Sequence, residues 1–460
     1  MSVTETLRSG RTSPRLAARL FARLQALRAR AGGTGRQAGL TFLIRVGSAA
    51  LAYLSQIALA RWMGAHDFGI YVYVWTWALL IGNVADAGLA FSAQRFVPQY
   101  AQQDAFDRLR GFIFGSRLLT LAMATVLAAL SALAVMLSAP LFDDTYLIPL
   151  YLACLCLPVY ALSSVQDGIA RCYNWTSVGQ MPTFILRPVL LLAMMYAAYA
   201  GGYPTDATTA ILCSVVSFWM IGIAQTLLLN RNLAAAVPAG PRAYEPKVWL
   251  HASLPIAMAV GFYVMLTYID VIALQYFRPP EDVAHYHAAA KTLTLVSFVY
   301  FSVTAATAHR FSAYHAAGER QALEAFLAQA IRWTFWPSLA MVAVVLIVGE
   351  PLLAMFGRDF AAAYPLMFVL ALGLLARASV GPAERLLSML GEQRACALAY
   401  AGAFAVNLIA CAVLIPRYGS RGAAIATSLA LMVESGQLFW INRRRLRLHT
   451  FVWKPGARER

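Results

Sequence analysis

Apolar runs of about 20 residues, nearly free of charge, recur from residue 37 to residue 442 of this 460-residue chain. A run of this length crosses the hydrocarbon core of a bilayer as one α-helix. Hydrophobic residues make up 60% of the sequence and charged residues 13%, roughly half the charged fraction of a typical soluble protein. These features predict an all-α polytopic membrane protein and exclude a soluble fold.

The apolar runs divide into two groups of six. They predict membrane helices near 37–62, 69–92, 111–137, 147–171, 176–200, 208–230, 248–277, 283–308, 330–350, 363–385, 395–415 and 421–442. The predicted organisation is a basic segment (1–36), a first lobe (37–231), a cytoplasmic linker (232–247), a second lobe (248–442) and a basic tail (443–460). Because each lobe holds an even number of helices, a pseudo-two-fold axis along the membrane normal should relate the two lobes.

The two predicted lobes share a repeated pattern of residues. Each of the following pairs is separated by 215 positions: Asp67 and Asp282, Tyr71 and Tyr286, Arg95 and Arg310, Arg117 and Arg332, Ser164 and Ser379. A constant offset that persists from the first helix into the fourth indicates an internal duplication. Two duplicated lobes with a site at their interface are typical of a transporter.

The formal net charge of +16 reflects membrane topology. In a soluble protein it would suggest nucleic acid, but the basic residues here crowd the chain ends and alternate loops. Lys and Arg favour the cytoplasmic side, so both termini are predicted to be cytoplasmic, and no nucleic-acid partner is expected. The arginines spaced four apart from Arg11 to Arg23 fit either an amphipathic helix on an anionic membrane or a basic tail.

Two stretches carry a family resemblance. The matching residues of the first are Leu59, Ala60, Arg61, Gly64, Phe68, Gly69, Tyr71, Asp86, Gly88 and Leu89, and the second runs from Ile415 to Ala430. With the count of twelve helices, they resemble the polysaccharide-transport (O-antigen) flippases of the multidrug/oligosaccharidyl-lipid/polysaccharide exporter superfamily.

The resemblance implies a function. Such proteins move an undecaprenyl-diphosphate-linked oligosaccharide from the inner to the outer leaflet of the bacterial inner membrane, for O-antigen, capsule or exopolysaccharide assembly. It also implies that predicted helices 1, 2, 7 and 8 line the cavity, and that membrane lipids and a polysaccharide polymerase are partners. No enzymatic activity and no cofactor are expected.

Charged residues inside predicted helices are candidates for the site, because a charge at the bilayer centre costs at least about 2.5–3.5 kcal/mol and normally faces a cavity or a partner. A cationic cavity suits a diphosphate, since Arg and Lys donate charge-assisted hydrogen bonds to phosphate oxygens. The candidate cavity residues are Arg45, Arg187, Lys291 and Arg117. The alternative is that Arg45 pairs with Asp86, and Lys291 with Asp270, only to fasten helices together.

For several other residues the sequence leaves the role undecided. Arg95 and Arg310 end the second and eighth helices, where they could capture a diphosphate or simply anchor the cytoplasmic side. Asp86, Asp167, Asp270 and Glu434 are candidates for H+ or Na+ coupling, because a buried carboxylate can bind and release a proton; Glu434 is the weakest of the four, because its helix is not expected to face the cavity. Pro255 is a candidate hinge in the seventh helix. No catalytic or metal-binding motif is present in the sequence.

Two other functions have to be weighed against a flippase. A drug/cation antiporter of the same superfamily would need an acidic cavity, whereas the helices expected to line the cavity here hold at least as many basic residues as acidic ones. A membrane O-antigen ligase or polymerase would usually need a sizeable extracytoplasmic loop, and no predicted loop is long enough.

Overall fold

The computed structural model describes residues 33–141 and 143–453, without the side chains of 33–46, 141, 305–306, 308–309, 312 and 315–316. Within this part of the chain the residues form helices and no strand, which confirms the all-α prediction. Ten helical spans are long and apolar enough to cross a membrane. Most of the predicted basic segment over 1–36 and the last residues of the tail lie outside the described residues.

The described part of the first half, from residue 33 onward, contains eight α-helices. They are α1 (Gly33–Ala85), α2 (Leu89–Gln102), α3 (Phe106–Ser138), α4 (Asp144–Cys154), α5 (Leu157–Cys172), α6 (Thr176–Met181), α7 (Arg187–Ala200) and α8 (Ala207–Ala236). A 3₁₀ turn, Ala139–Leu141, follows α3, and a π-helical segment, Pro182–Leu186, joins α6 to α7.

The second half, as far as the structure describes it to residue 453, contains nine α-helices. They are α9 (Pro246–Phe277), α10 (Pro280–Thr294), α11 (Ser297–Ala316), α12 (Arg320–Ile347), α13 (Gly349–Ala354), α14 (Tyr364–Ser379), α15 (Ala383–Met389), α16 (Gln393–Tyr418) and α17 (Ser420–Ile441). A 3₁₀ segment, Arg358–Ala363, precedes α14, and a π-helical segment, Asn442–Leu446, follows α17.

Gly64 divides α1 into the first two predicted membrane helices. Its φ of 77° and ψ of 174° fall in a region of backbone space that is essentially confined to glycine. A Cβ at this position would meet nothing within 4 Å, so the backbone conformation, and not lack of space, requires the glycine. With this division, and with α10 and α11 as a further crossing, the structure agrees with about twelve membrane helices.

Several predicted helices are interrupted, and three of these interruptions lie within the second, fourth and eighth predicted helices, which were expected to be continuous. The breaks lie at residues 86–88, 155–156 and 295–296. At the first, Ala87 and Gly88 have φ values of 48° and 76°, which end the helical path. At the second, Pro158 follows and has no N–H to donate to the preceding turn. The sequence around the third contains neither Pro nor Gly, so its break could not be predicted from composition.

The two halves meet around the predicted pseudo-two-fold axis at one end of the bundle. His66 Nδ1 lies 2.8 Å from Glu281 Oε1, and these two positions are separated by the same offset of 215. A residue that contacts its own symmetry equivalent must lie beside the axis. This end is predicted to face away from the cytoplasm and is called the outer end here; the opposite end is the inner end.

The buried side chains show that the halves are joined at the outer end and separate at the inner end. One apolar core at the outer end includes Phe68 and Ile211 of the first half together with Tyr286 and Phe356 of the second. At the inner end, the helices of the first half surround one core and the later helices of the second half surround two others. The larger part of the interface between the halves is therefore on the outer side.

Helix α9 bridges the two halves. Near its start, Trp249 is buried in the inner core of the first half, where its ring contacts Phe112. Further along, Leu266 belongs to a core of the second half. Pro255 lies between these two segments. The predicted lobe boundary at 247 thus falls just before a segment that packs on the first half, and the hinge at Pro255 stays a prediction.

Candidate functional site

Arg187 is the interior cation of the first half. It begins α7 directly after the π-helical segment Pro182–Leu186, and such irregular segments are frequent at functional sites. Its guanidinium carbon lies 3.6 Å from the ring centroid of Phe218, and Nη2 donates weakly to Thr183 Oγ1 at 3.4 Å. Its Nε is buried without a hydrogen-bond partner. In the described part of the chain no carboxylate lies within ion-pair distance of Arg187.

Lys291 is an interior cation of the second half. It lies on α10, partly exposed, and the next residue, Thr292, contacts the hydroxyl of Tyr53 across the interface at 3.0 Å. Among the described residues, Lys291 forms neither an ion pair nor a side-chain hydrogen bond. Among the residues that the structure describes, Lys291 and Arg187 are therefore interior cations with no anionic partner.

The predicted pair between Asp270 and Lys291 is wrong. Asp270 instead accepts hydrogen bonds from the hydroxyl of Tyr286, from Thr427 Oγ1 at 2.9 Å and from the N–H of Val271 at 2.8 Å. Tyr286 and Lys291 are five residues apart, about 140° around α10, so one carboxylate cannot bind both. The prediction compared depths in the membrane and ignored the direction of each side chain.

Asp86 closes the break in the second predicted helix. Its Oδ1 accepts the N–H of Gly88 at 2.8 Å, and its Oδ2 accepts the hydroxyl of Ser164 at 2.8 Å. A Cβ on Gly88 would come within 2.8 Å of the carbonyl oxygen of Ser253 on α9. The close packing of α9 therefore also requires a glycine at position 88. The predicted partner Arg45 lies on α1, but its side chain is outside the described residues. The pairing of Arg45 with Asp86 therefore stays a prediction.

Two further predicted site residues have partners outside the space between the halves. Arg117 on α3 donates from Nη1 to Asn230 Oδ1 on α8 at 2.7 Å. Asp167 on α5 forms an ion pair with Arg171 one turn later. The structure therefore does not bring Arg117 or Asp167 together with Lys291, and fixed helix contacts account for both.

The two predicted entrance arginines differ in their surroundings. Arg95 lines an open groove of about 780 Å³ at the inner end, together with Arg108, Lys247 and His251. Arg108 is partly neutralised by Glu245, at 3.4 Å, whereas Arg95 and Lys247 form no ion pair with any residue that the structure describes. Arg310 instead lies over the ring of Phe326 at 5.4 Å and outside the residues of that groove.

The sequence prediction named Glu434 but missed Arg377 and Glu384, with which Glu434 forms a charged cluster inside the second half. Arg377 of α14 lies 3.6 Å from Glu434 of α17 and 3.7 Å from Glu384 of α15. A usable signal was present, because Arg377 and Glu434 are opposite charges within two apolar runs of the same lobe. Glu384 was hidden because its helix was predicted as the end of a longer one.

Comparison with known proteins gives two family matches. The family model described as "Polysaccharide biosynthesis protein" matches residues 34–315, and the MatE model matches residues 255–413. An uncharacterized membrane protein of Methanocaldococcus jannaschii is 24% identical over 438 residues, which cover 88% of this chain and 83% of that protein.

Solved structures with the same fold include two transporters. An inward-facing multidrug resistance MATE family transporter of the MOP superfamily superposes with a TM-score of 0.70 at 14% identity, covering 88% of this chain and 98% of that one. The lipid II flippase MurJ, in an inward closed conformation, also gives 0.70, at 15% identity, covering 87% of each chain. At these identities the likeness establishes the fold.

Proposed function

Because the chain belongs to the polysaccharide biosynthesis protein family, we propose that it is a flippase that carries a lipid-linked oligosaccharide across a membrane by alternating access. The family match confirms the resemblance seen in the motifs. The proposed cargo is an undecaprenyl-diphosphate-linked glycan, moved from the inner to the outer leaflet of a bacterial inner membrane. Both termini are placed in the cytoplasm by the same proposal, with a polysaccharide polymerase as a downstream partner.

The observation that carries the proposal is the sign of the interior charge that has no partner in the described part of each half. Arg187 and Lys291 have no carboxylate partner in the described structure, whereas Asp86, Asp167 and Asp270 are each held by a donor or a cation. An anionic diphosphate would supply the charge that these two cations lack, through charge-assisted hydrogen bonds. The lipid tail would stay in the bilayer while the polar headgroup crosses.

The same observation argues against the drug/cation antiporter. A cationic drug would need a free carboxylate beside it, whereas Asp86, Asp167 and Asp270 all have partners and an unpaired Arg or Lys nearby would repel the drug. The MatE match over residues 255–413 fits the shared fold of the superfamily and does not select the cargo. A ligase or polymerase is disfavoured by the short connections at the outer end of the described chain, such as the one between α9 and α10.

Ion coupling is a separate part of the proposal. Alternating access against a gradient needs an energy source, and H+ or Na+ is proposed because no nucleotide-binding motif occurs in the sequence. Asp86, Asp167 and Asp270 were the stronger candidates, and all three have fixed partners in this conformation. Their role in coupling stays a prediction.

The test removes the two interior cations one at a time. We expect Lys291→Gln and Arg187→Gln to lower surface polysaccharide at least about tenfold in a strain that lacks its own flippase, with normal protein levels in the membrane. Arg394→Gln is the matched control, because Arg394 is exposed at the inner end and its loss changes the net charge equally. Wild-type polysaccharide from both interior variants would contradict the proposal.

A further inference from the structure

The charged cluster of the second half is built from helices that are distant in sequence. Arg377 Nη2 lies 3.6 Å from Glu434 Oε1 and 3.7 Å from Glu384 Oε2. Charge-assisted hydrogen bonds between nitrogen and carboxylate oxygen are usually about 2.7–2.9 Å long, so neither contact is a tight pair. One guanidinium is therefore shared, loosely, by two carboxylates.

Glu434 is the more isolated of the two carboxylates. Its side chain is 0% exposed, and neither Oε1 nor Oε2 accepts a hydrogen bond from any described residue. Asp270, by contrast, accepts from three donors. A buried carboxylate without donors is expensive when ionised, because neither water nor the protein replaces its solvation.

Arg377 supplies one positive charge to the two glutamates, and the other groups around the cluster supply no further positive charge. The rings of Tyr263 and Tyr300 lie 5.6 and 5.2 Å from the guanidinium carbon of Arg377, and the Tyr300 hydroxyl donates to Glu384 Oε2 at 3.4 Å. Tyr400 packs against Tyr263, with 5.3 Å between their ring centroids. Within the described residues, Arg377 is the only cation that pairs with either glutamate.

Two negative charges and one positive charge leave a net charge of −1 if both glutamates are ionised. We propose that Glu434, Glu384 and Arg377 form a proton-binding site, in which the two carboxylates hold one proton between them. Two carboxylates that share one site cannot both ionise easily, so a proton is the simplest ligand that removes the excess charge. A metal ion is disfavoured because it would have to sit beside the guanidinium.

The site is connected to the helices that must move in alternating access. Tyr263 belongs to α9, on the far side of Pro255 from the segment that packs on the first half, and Tyr300 belongs to α11. Loss of the proton strengthens the attraction between Arg377 and the carboxylates. Because Tyr300 is hydrogen-bonded to Glu384, a movement of the Glu384 carboxylate also moves Tyr300. This use of the proton in transport depends on the proposed flippase function, whereas the proton site does not.

The test is an infrared pH titration of the purified protein, without substrate. Wild type should show the C=O absorption of one protonated carboxyl group at neutral pH. Glu434→Gln and Glu384→Gln should each abolish it, because either change leaves one carboxylate for one guanidinium. Glu350→Gln is the control and should keep the absorption, since Glu350 is exposed at the start of α13.

An absorption of equal size in wild type and in both variants would overturn the proposal. The Glu384 side chain is 26% exposed, so Glu384→Gln provides the test even if Glu434→Gln does not fold. Failure of lipid-linked oligosaccharide flipping in reconstituted vesicles would contradict the proposed function while leaving the infrared result unaffected. The two hypotheses are therefore separable.

Discussion

At Gly69 the backbones of the two halves approach each other closely at the outer end. A Cβ added to it would lie 1.9 Å from the carbonyl oxygen of Pro280 and 2.5 Å from the carbonyl carbon. Ordinary contact begins at 3.4 Å, so Gly69→Ala requires the halves to separate locally by about 1.5 Å. Both obstructing atoms are backbone, so no side-chain rotation can relieve the clash.

Gly69→Ala destabilises only the conformation in which the two halves are in contact at the outer end. Overpacking a well-packed interface typically costs about 1–3 kcal/mol. Any conformation in which the outer ends are apart avoids this cost, so the equilibrium should shift about 5- to 150-fold toward it. Gly47→Ala is the matched control, because Gly47 lies on the same helix and a Cβ there would meet nothing within 4 Å.

The shift can be measured as a distance between spin labels on the two halves at the outer end. Cysteines placed at Tyr203 and Tyr418, which are 70% and 58% exposed, provide the labelling sites. We expect a longer-distance population to increase in Gly69→Ala and not in Gly47→Ala. An unchanged distance distribution in Gly69→Ala, or the same change in both variants, would refute the account of the outer closure.

Three other substitutions test the packing and the charges. Asp86→Ala leaves the Gly88 N–H and the Ser164 hydroxyl without their acceptor, so a loss of about 1–3 kcal/mol is expected in detergent unfolding, and less for Asp86→Asn. Trp249→Ala should cost about 3–5 kcal/mol by the same measurement, since only 1% of its surface is exposed. Glu281→Gln should change stability by at most about 1 kcal/mol and leave the spin-label distances as in wild type, because its pair with His66 is exposed.

The duplication was the part of the fold that the sequence predicted best. Periodic apolar runs predicted the number of crossings, and the offset of 215 predicted an axis between the halves. The contact between His66 and Glu281 was not anticipated, yet these positions carry the same offset. Long apolar runs and an internal repeat are visible in the sequence itself, so they can be identified without knowing how the helices pack.

The pairing of charges could not be predicted in the same way. Depth along a helix follows from counting residues, but the partner of a side chain also depends on the rotation of its helix and on breaks in its neighbours. Asp270 binds Tyr286 and Thr427 because α17 lies on that side of α9, which no local pattern reveals. Asp86 has its donors because the helix breaks immediately after it.

The two unpaired cations occupy positions that the duplication does not match. The residue 215 positions after Arg187 is Gly402, and the residue 215 positions before Lys291 is Thr76. The contacts that close the outer end, by contrast, lie beside the axis, where equivalent positions face each other. The duplicated scaffold thus accounts for the closure, whereas unmatched substitutions supply the positive charge. In the proposed function, an anionic headgroup would therefore be attracted by a different cation in each half.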